Sequence, residues 1–138
     1  DLMIDKLNKR VILSLIKNNL VTCAHDCSKG GFAIALCETA MAGRTGLEVD
    51  LDLLPNSCSR LDNLLFSESQ SRFIFATRDP ENVEKSLREV PGLVYAKVGN
   101  SSARGDNKIV LLESGSPIVS SSIEELEDKY SSLSKIMS

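Results

Sequence analysis

Between Val21 and Ala42 the chain reads as a short strand, a turn carrying Gly30-Gly31, and a helix that is apolar nearly all round, Phe32-Ala33-Ile34-Ala35-Leu36-Cys37-Glu38-Thr39-Ala40-Met41-Ala42. A helix without a polar face has to be covered, so this one is expected to be largely buried. Paired glycines at its entrance leave backbone N–H groups unobstructed at the positive end of a helix dipole. Such a turn suits an anion, a phosphate above all. The strand before it, Val21 to His25, ends in the chain's only histidine, beside Asp26.

The remaining elements follow from periodicity and punctuation. Residues 2–18 place Ile4, Leu7, Val11 and Leu15 on one face at helical spacing. Gly43 to Gly46 stops the apolar helix, and Leu47 to Leu51 alternates as a half-buried strand. Residues 55–71 read as irregular, with at most one helical turn around Leu61 to Leu65. The run Arg72-Phe73-Ile74-Phe75-Ala76-Thr77 has the length and character of a strand in the middle of a sheet. Asp79-Pro80 predicts an N-cap followed by proline at the first helical position, with Val83, Leu87 and Val90 facing inward until Pro91-Gly92.

Leu93 to Val98 is the next expected strand, followed by a polar loop containing Gly99 and Gly105. Ser114-Gly115 then joins Lys108–Leu112 to Ser116–Val119 as a hairpin. Ser122-Ile123-Glu124-Glu125 is a capping box for a final helix burying Ile123, Leu126, Tyr130 and Leu133. This order predicts an α+β fold, a mixed sheet layered with helices, and a single domain over residues 1–138.

Composition narrows the functional classes. The chain has 138 residues, 42% of them hydrophobic and 25% charged, with a net charge of −3. There is no basic footprint for nucleic acid, and with 4% aromatics and no tryptophan there is no platform for stacking bases. No apolar run approaches a membrane span and no signal peptide precedes the first helix. The four cysteines (Cys23, Cys27, Cys37, Cys58) read as reduced thiols in a cytoplasmic protein. Asn100-Ser101-Ser102 and Arg104-Gly105-Asp106 match short glycosylation and adhesion motifs of the kind that arise by chance. A start at Asp1 fits a piece of something longer.

Two polar constellations carry chemistry. His25 could serve as a base, a phosphate ligand or a metal ligand, or as a polar residue that holds the turn. Adjacent strand residues face opposite ways, so His25 and Asp26 form no dyad unless the turn begins at Asp26. Cys23, His25 and Cys27 alternate, but no second ligand pair follows to complete a zinc site, and Cys27 has no helper histidine elsewhere. The second constellation is Ser67-Glu68-Ser69-Gln70-Ser71-Arg72, whose hydroxyls, carboxylate, amide and guanidinium could grasp a ribose phosphate. With the glycine turn it would make a ligand wall; by itself it reads as a solvated loop.

Three stretches resemble one family in order and spacing. Ala24-His25-Asp26-Cys27-Ser28-Lys29-Gly30-Gly31-Phe32-Ala33-Ile34-Ala35-Leu36-Cys37-Glu38 is similar to the A-H-D-x-S-x-G-G-x-x-x-A-L-x-E signature of phosphoribosylformylglycinamidine synthases. Gly46-Leu47-Glu48-Val49-Asp50-Leu51 matches their G-x-x-[VI]-D-L strand, and Leu65-Phe66-Ser67-Glu68-Ser69-Gln70-Ser71-Arg72 their L-F-S-E-S-x-S-R loop. The resemblance covers essentially the whole chain. It implies the C-terminal half-domain shared with aminoimidazole ribonucleotide and selenophosphate synthetases, partly ferredoxin-like. The His-Asp form of the turn is similar to the second, final copy of that half-domain.

In the family, the whole enzyme uses ATP and Mg²⁺ to activate the formyl amide oxygen of formylglycinamide ribonucleotide. Ammonia from a glutaminase subunit then displaces phosphate, and a small accessory subunit joins the complex. The ATP- and metal-binding residues belong to the other half-domains, so no catalytic residue is expected in this chain, which should be inactive alone. The ligand-binding candidates are His25, Asp26, Ser28, Gly30, Gly31, Ser67, Glu68, Ser69, Gln70 and Arg72. Two alternatives stand beside this reading. One is a free-standing module for a phosphorylated metabolite or nucleotide. The other is a structural domain of a related synthetase whose Ile4, Leu7, Val11 and Leu15 dock on neighbouring domains or on a second copy as a homodimer.

Overall fold

A computed structural model describes residues 2–55, 58, 60–102 and 106–136, with side chains through residue 132. In chain order the elements are α1 (Leu2–Lys17), β1 (Cys23–Asp26), α2 (Gly31–Gly43), β2 (Leu47–Asp50), a 3₁₀ turn (Leu51–Leu53), α3 (Leu61–Phe66), β3 (Phe73–Ala76), α4 (Pro80–Arg88), β4 (Gly99–Ser101), β5 (Lys108–Glu113), β6 (Ser116–Ser122) and α5 (Ile123–Ile136). The class is the expected α+β. Residue contacts group the chain into two compact units, Asp1–Leu36 with Pro55–Tyr95 and Cys37–Leu54 with Ala96–Ser138. Among the described residues no helix is long and apolar enough to cross a membrane.

The first unit is built around a cluster of Leu15 from α1 with Val83 and Leu87 from α4, against which Val11, Ile12, Leu20, Val21, Phe75, Leu93 and Tyr95 pack. Apolar residues at helical spacing place Val11 and Leu15 on the inner side of α1, and Ile12 joins them. Ile4 does not; it is 51% exposed, about two helical turns before Val11. Helix α4 starts as expected. The Asp79 carboxylate accepts from the Asn82 amide at 3.2 Å, while the Thr77 hydroxyl accepts from the Asp79 amide at 2.9 Å and donates to the Leu20 carbonyl at 2.6 Å.

Strand β3 pairs antiparallel with β1, with His25 opposite Ile74 and Asp26 opposite Phe73. Among the described residues the sheet has these two strands. The expectation of a mid-sheet strand at 72–77 is therefore corrected. Each of residues 73–76 is half-buried because β3 has one strand neighbour among the described residues and its burial comes from rings such as Phe75 against the helical cluster.

The second unit holds a mixed sheet in the order β4-β2-β5-β6. Strands β2 and β5 run parallel, Leu47 beside Ile109 and Val49 beside Leu111, and the other pairs are antiparallel. Period-2 alternation buries Val49, Ile109 and Leu111 while Glu48 stays exposed. Ser114 and Gly115, at φ 50° and 74°, make the tight hairpin turn whose twist suits the flanking strands. The capping box forms in both directions: the Glu125 amide donates to the Ser122 hydroxyl at 3.1 Å and the Ser122 amide to the Glu125 carboxylate at 3.0 Å.

Two further expectations change here. Leu93 to Val98 forms no strand; pairing begins at Gly99, after a single bond from the Asp50 amide to the Val98 carbonyl at 2.8 Å. The side chains of Leu93 and Tyr95 are used in the helical cluster of the first unit, and the chain passes into the second unit at Ala96. A segment spent on side-chain packing has no ladder partner there. On α5, Ile123 is buried and Leu126 half-buried, but Tyr130 is 51% exposed. Its hydroxyl donates to the Glu38 carboxylate at 2.9 Å, which also raises the phenol's pKa. The Leu133 side chain, Arg104 and Gly105 lie outside the described residues.

Truncating Leu87 to Ala is expected to cost about 2–4 kcal/mol in urea unfolding, against under about 0.5 kcal/mol for Ile4→Ala on the exposed end of α1. Ser122→Ala should cost about 1 kcal/mol by the same measurement, through loss of the cap.

Candidate functional site

The glycine turn and the polar loop meet within the first unit. Strand β1 ends at Asp26, and the Cys27 amide donates to the Arg72 carbonyl at 2.9 Å, so the ladder continues one bond into both loops. The turn closes through the Gly31 amide donating to the Ser28 carbonyl at 3.2 Å, with Gly30 and Gly31 at φ 74° and 68°. Only glycine adopts such consecutive torsions readily.

Gly31 has a second reason to lack a side chain. A Cβ there would stand 2.6 Å from the Ser67 carbonyl oxygen, 2.8 Å from the Phe66 carbonyl carbon and 2.9 Å from the Leu65 carbonyl oxygen. These are backbone atoms at the end of α3, so nothing flexible can give way. Backbone lies directly on backbone.

The Gly30 amide donates to Glu68 Oε1 at 2.9 Å. The anion held at this amide is thus a carboxylate of the chain itself. A negative group near a helix N-terminus is electrostatically favoured. Arg72 folds back over the same loop: Nη2 donates to the Ser67 carbonyl and, at 3.3 Å, to the Ser67 hydroxyl, while Nε donates to the Ser69 carbonyl at 3.4 Å. The Ser69 hydroxyl lies 3.5 Å from that of Ser67. Ser28, Glu68, Ser69 and Gln70 are exposed, and Ser67 and Arg72 are half-buried.

His25 Nδ1 sits 2.6 Å from the Asp26 carbonyl oxygen and 3.9 Å from Asp26 Oδ1. A carbonyl oxygen only accepts, so the proton of this contact is on Nδ1, and the nearer partner of the ring is backbone rather than carboxylate. The two residues occupy successive strand positions, as the alternation argument requires. Cys27 is buried, and burial pushes its thiol pKa up, with Arg72 opposing and Asp26 reinforcing the shift. Cys23, four residues earlier, is exposed, so the two cysteines do not share an environment. Among the described residues no three His, Cys, Asp or Glu side chains group to hold a metal ion.

Sequence reasoning missed the contribution of α1. The Asn8 side-chain amide donates to the Ser71 carbonyl at 2.8 Å, and the Ser71 hydroxyl donates to Asp5 Oδ1 at 3.0 Å. Lys9 donates to the other oxygen of Asp5 at 2.7 Å, which lowers that carboxyl's pKa. The available signal was weak: two polar residues, Asp5 and Asn8, at i and i+3 on a helix read for its apolar face.

Gly31→Ala is expected to destabilise the fold by about 1–3 kcal/mol in chemical denaturation, because the new methyl meets backbone at a left-handed φ. Gly43→Ala, whose nearest neighbour atom to a new Cβ is 3.8 Å away, should be neutral or stabilising by up to about 1 kcal/mol.

The arrangement has relatives. Residues 4–112 match the family described as AIR synthase related protein, C-terminal domain. The phosphoribosylformylglycinamidine synthase subunit PurL of Trichormus variabilis is 33% identical over 132 residues, 94% of this chain and 17% of that protein. The same subunit from Methanocaldococcus jannaschii is 37% identical over 131 residues, again 94% of this chain and 17% of the relative. The solved structure of Thermotoga maritima PurL complexed with ATP shares the fold at a TM-score of 0.73 and 21% identity, covering 88% of this chain and 21% of that one. The chain therefore spans about 17% of the length of these curated relatives. On the match over residues 4–112, the chain belongs to the AIR synthase related protein, C-terminal domain family.

Proposed function

We propose that residues 1–138 are the final C-terminal half-domain of a PurL-type synthetase subunit. The whole enzyme would convert formylglycinamide ribonucleotide, ATP and glutamine-derived ammonia to formylglycinamidine ribonucleotide in the cytoplasm, as an ATP-dependent C–N ligase. The observation that carries this reading is the joined turn and loop: the Gly30 amide on Glu68, and the Gly31 backbone on Leu65–Ser67. The two segments with the most specific family wording are in contact in one unit, in a chain that aligns almost end to end with PurL relatives.

Within that role, His25, Asp26, Ser28, Gly30, Gly31, Ser67, Glu68, Ser69, Gln70 and Arg72 form one wall for a phosphate-bearing ligand. For a phosphate to take the Gly30 amide, Glu68 has to yield it. Arg72 gathers the carbonyls of Ser67 and Ser69, while the Ser28, Ser69 and Gln70 side chains stand at the surface. ATP supplies the phosphoryl group that activates the amide oxygen, and Mg²⁺ neutralises its charge. Glu68 already accepts from the Gly30 amide, and among the described residues Asp26 and His25 join no third metal-ligating side chain, so the donor set of this wall does not suit a metal. Mg²⁺ is assigned to the remaining domains of the enzyme, which together with the glutaminase and small accessory subunits are the chain's partners.

The chain alone, given formylglycinamide ribonucleotide, ATP, Mg²⁺ and ammonia, is expected to form no product, whereas the full-length protein should turn over. Steady turnover by the chain alone would sink the reading in favour of a self-sufficient enzyme.

A further inference from the structure

Ser71 is an anomaly in the loop. Its φ of 69° is left-handed, a conformation that residues with a side chain rarely adopt. It stands between Gln70 and Arg72, the residue that carries the guanidinium brace to Ser67 and Ser69 and accepts the Cys27 amide. The torsion at Ser71 therefore decides whether Arg72 can turn back on the loop. Two polar groups of Ser71 are held from α1: Asn8 donates to its carbonyl at 2.8 Å, and Asp5 accepts from its hydroxyl at 3.0 Å. Lys9 orients the Asp5 carboxylate through its second oxygen. From α1 to the turn the connection is continuous: Asn8 and Asp5 to Ser71, Ser71 to Arg72, Arg72 to the Ser67 carbonyl, and Glu68 next in chain to the Gly30 amide.

We propose that Asp5 and Asn8 of α1 are positioning residues for the glycine turn: they hold Ser71 left-handed and so set where Arg72 and Glu68 stand when a phosphate-bearing ligand arrives. The proposal rests on the reading of turn and loop as a ligand wall. It assigns to the polar side of α1 a role separate from the packing of Val11 and Leu15, and it makes the first helix a control point for the wall.

The test is a double-mutant cycle in the full-length protein, Asn8→Ala and Ser71→Gly singly and together, read by hydrogen exchange and by calorimetric titration with formylglycinamide ribonucleotide. Asn8→Ala is expected to speed amide exchange over 29–31 and 67–72 by about fivefold and to weaken binding of formylglycinamide ribonucleotide by a similar factor, with exchange in α4 unchanged. Glycine holds a left-handed φ without help, so Ser71→Gly should restore both quantities in the Asn8→Ala background. Unchanged exchange in Asn8→Ala, or a loss that Ser71→Gly leaves in place, would overturn the proposal. If exchange follows the cycle while formylglycinamide ribonucleotide binds all four proteins equally, positioning stands and the ligand-wall reading falls. Should Asn8→Ala fail to fold, Asp5→Ala, which removes only the hydroxyl's acceptor, is read by the same criteria.

Discussion

The first unit is organised by a place where two stretches of backbone touch. At Gly31 there is no space for a methyl group, because the carbonyls of Leu65 and Ser67 occupy it. That contact fixes the end of α3 against the start of α2, and the polar groups on either side then have few options. Glu68 reaches the Gly30 amide, Arg72 gathers the carbonyls of Ser67 and Ser69, and Ser71 is handed to α1. Dense packing transmits such constraints because protein interiors have little free volume to absorb them. A single absent side chain thus determines the conformation of a loop nearly forty positions away in sequence.

The same contact changes the meaning of the glycine turn. As a sequence it is an anion site offered to a ligand. In the structure one of its amides is held by a carboxylate of the neighbouring loop, so a ligand anion at this amide would have to displace Glu68. The loop's polar residues divide their work similarly. Arg72 spends its donors on the loop's own carbonyls, while Ser28, Ser69 and Gln70 remain at the surface.

Much of this was legible in the sequence wherever a local rule and the tertiary environment agreed. The Asp79-Pro80 start of α4, the Ser122–Glu125 capping box and the Ser114-Gly115 hairpin are local chemistry, and each formed as written. The family, too, was carried by short ordered motifs. The failures share a physical cause. Leu93 to Val98, Phe73 to Ala76, Ile4 and Tyr130 have the hydrophobicity for a strand or a core, but hydrophobicity does not say what partner will be present. Leu93 and Tyr95 found helices instead of strands, and Tyr130 used its hydroxyl on Glu38 instead of burying its ring. The Asp5–Asn8 grip on Ser71 was invisible because a long-range hydrogen bond leaves no periodic trace.

The division of the chain bears on how it is made. Each unit is assembled from two separated stretches, so neither can be copied out as one contiguous gene segment. During synthesis β2 emerges well before β5, its parallel neighbour, and waits while the whole of α3, β3 and α4 is delivered. Parallel pairing across so long an interval raises contact order and slows folding. Every residue of the first unit has been made by Tyr95, when β4, β5 and β6 of the mixed sheet are all still to come.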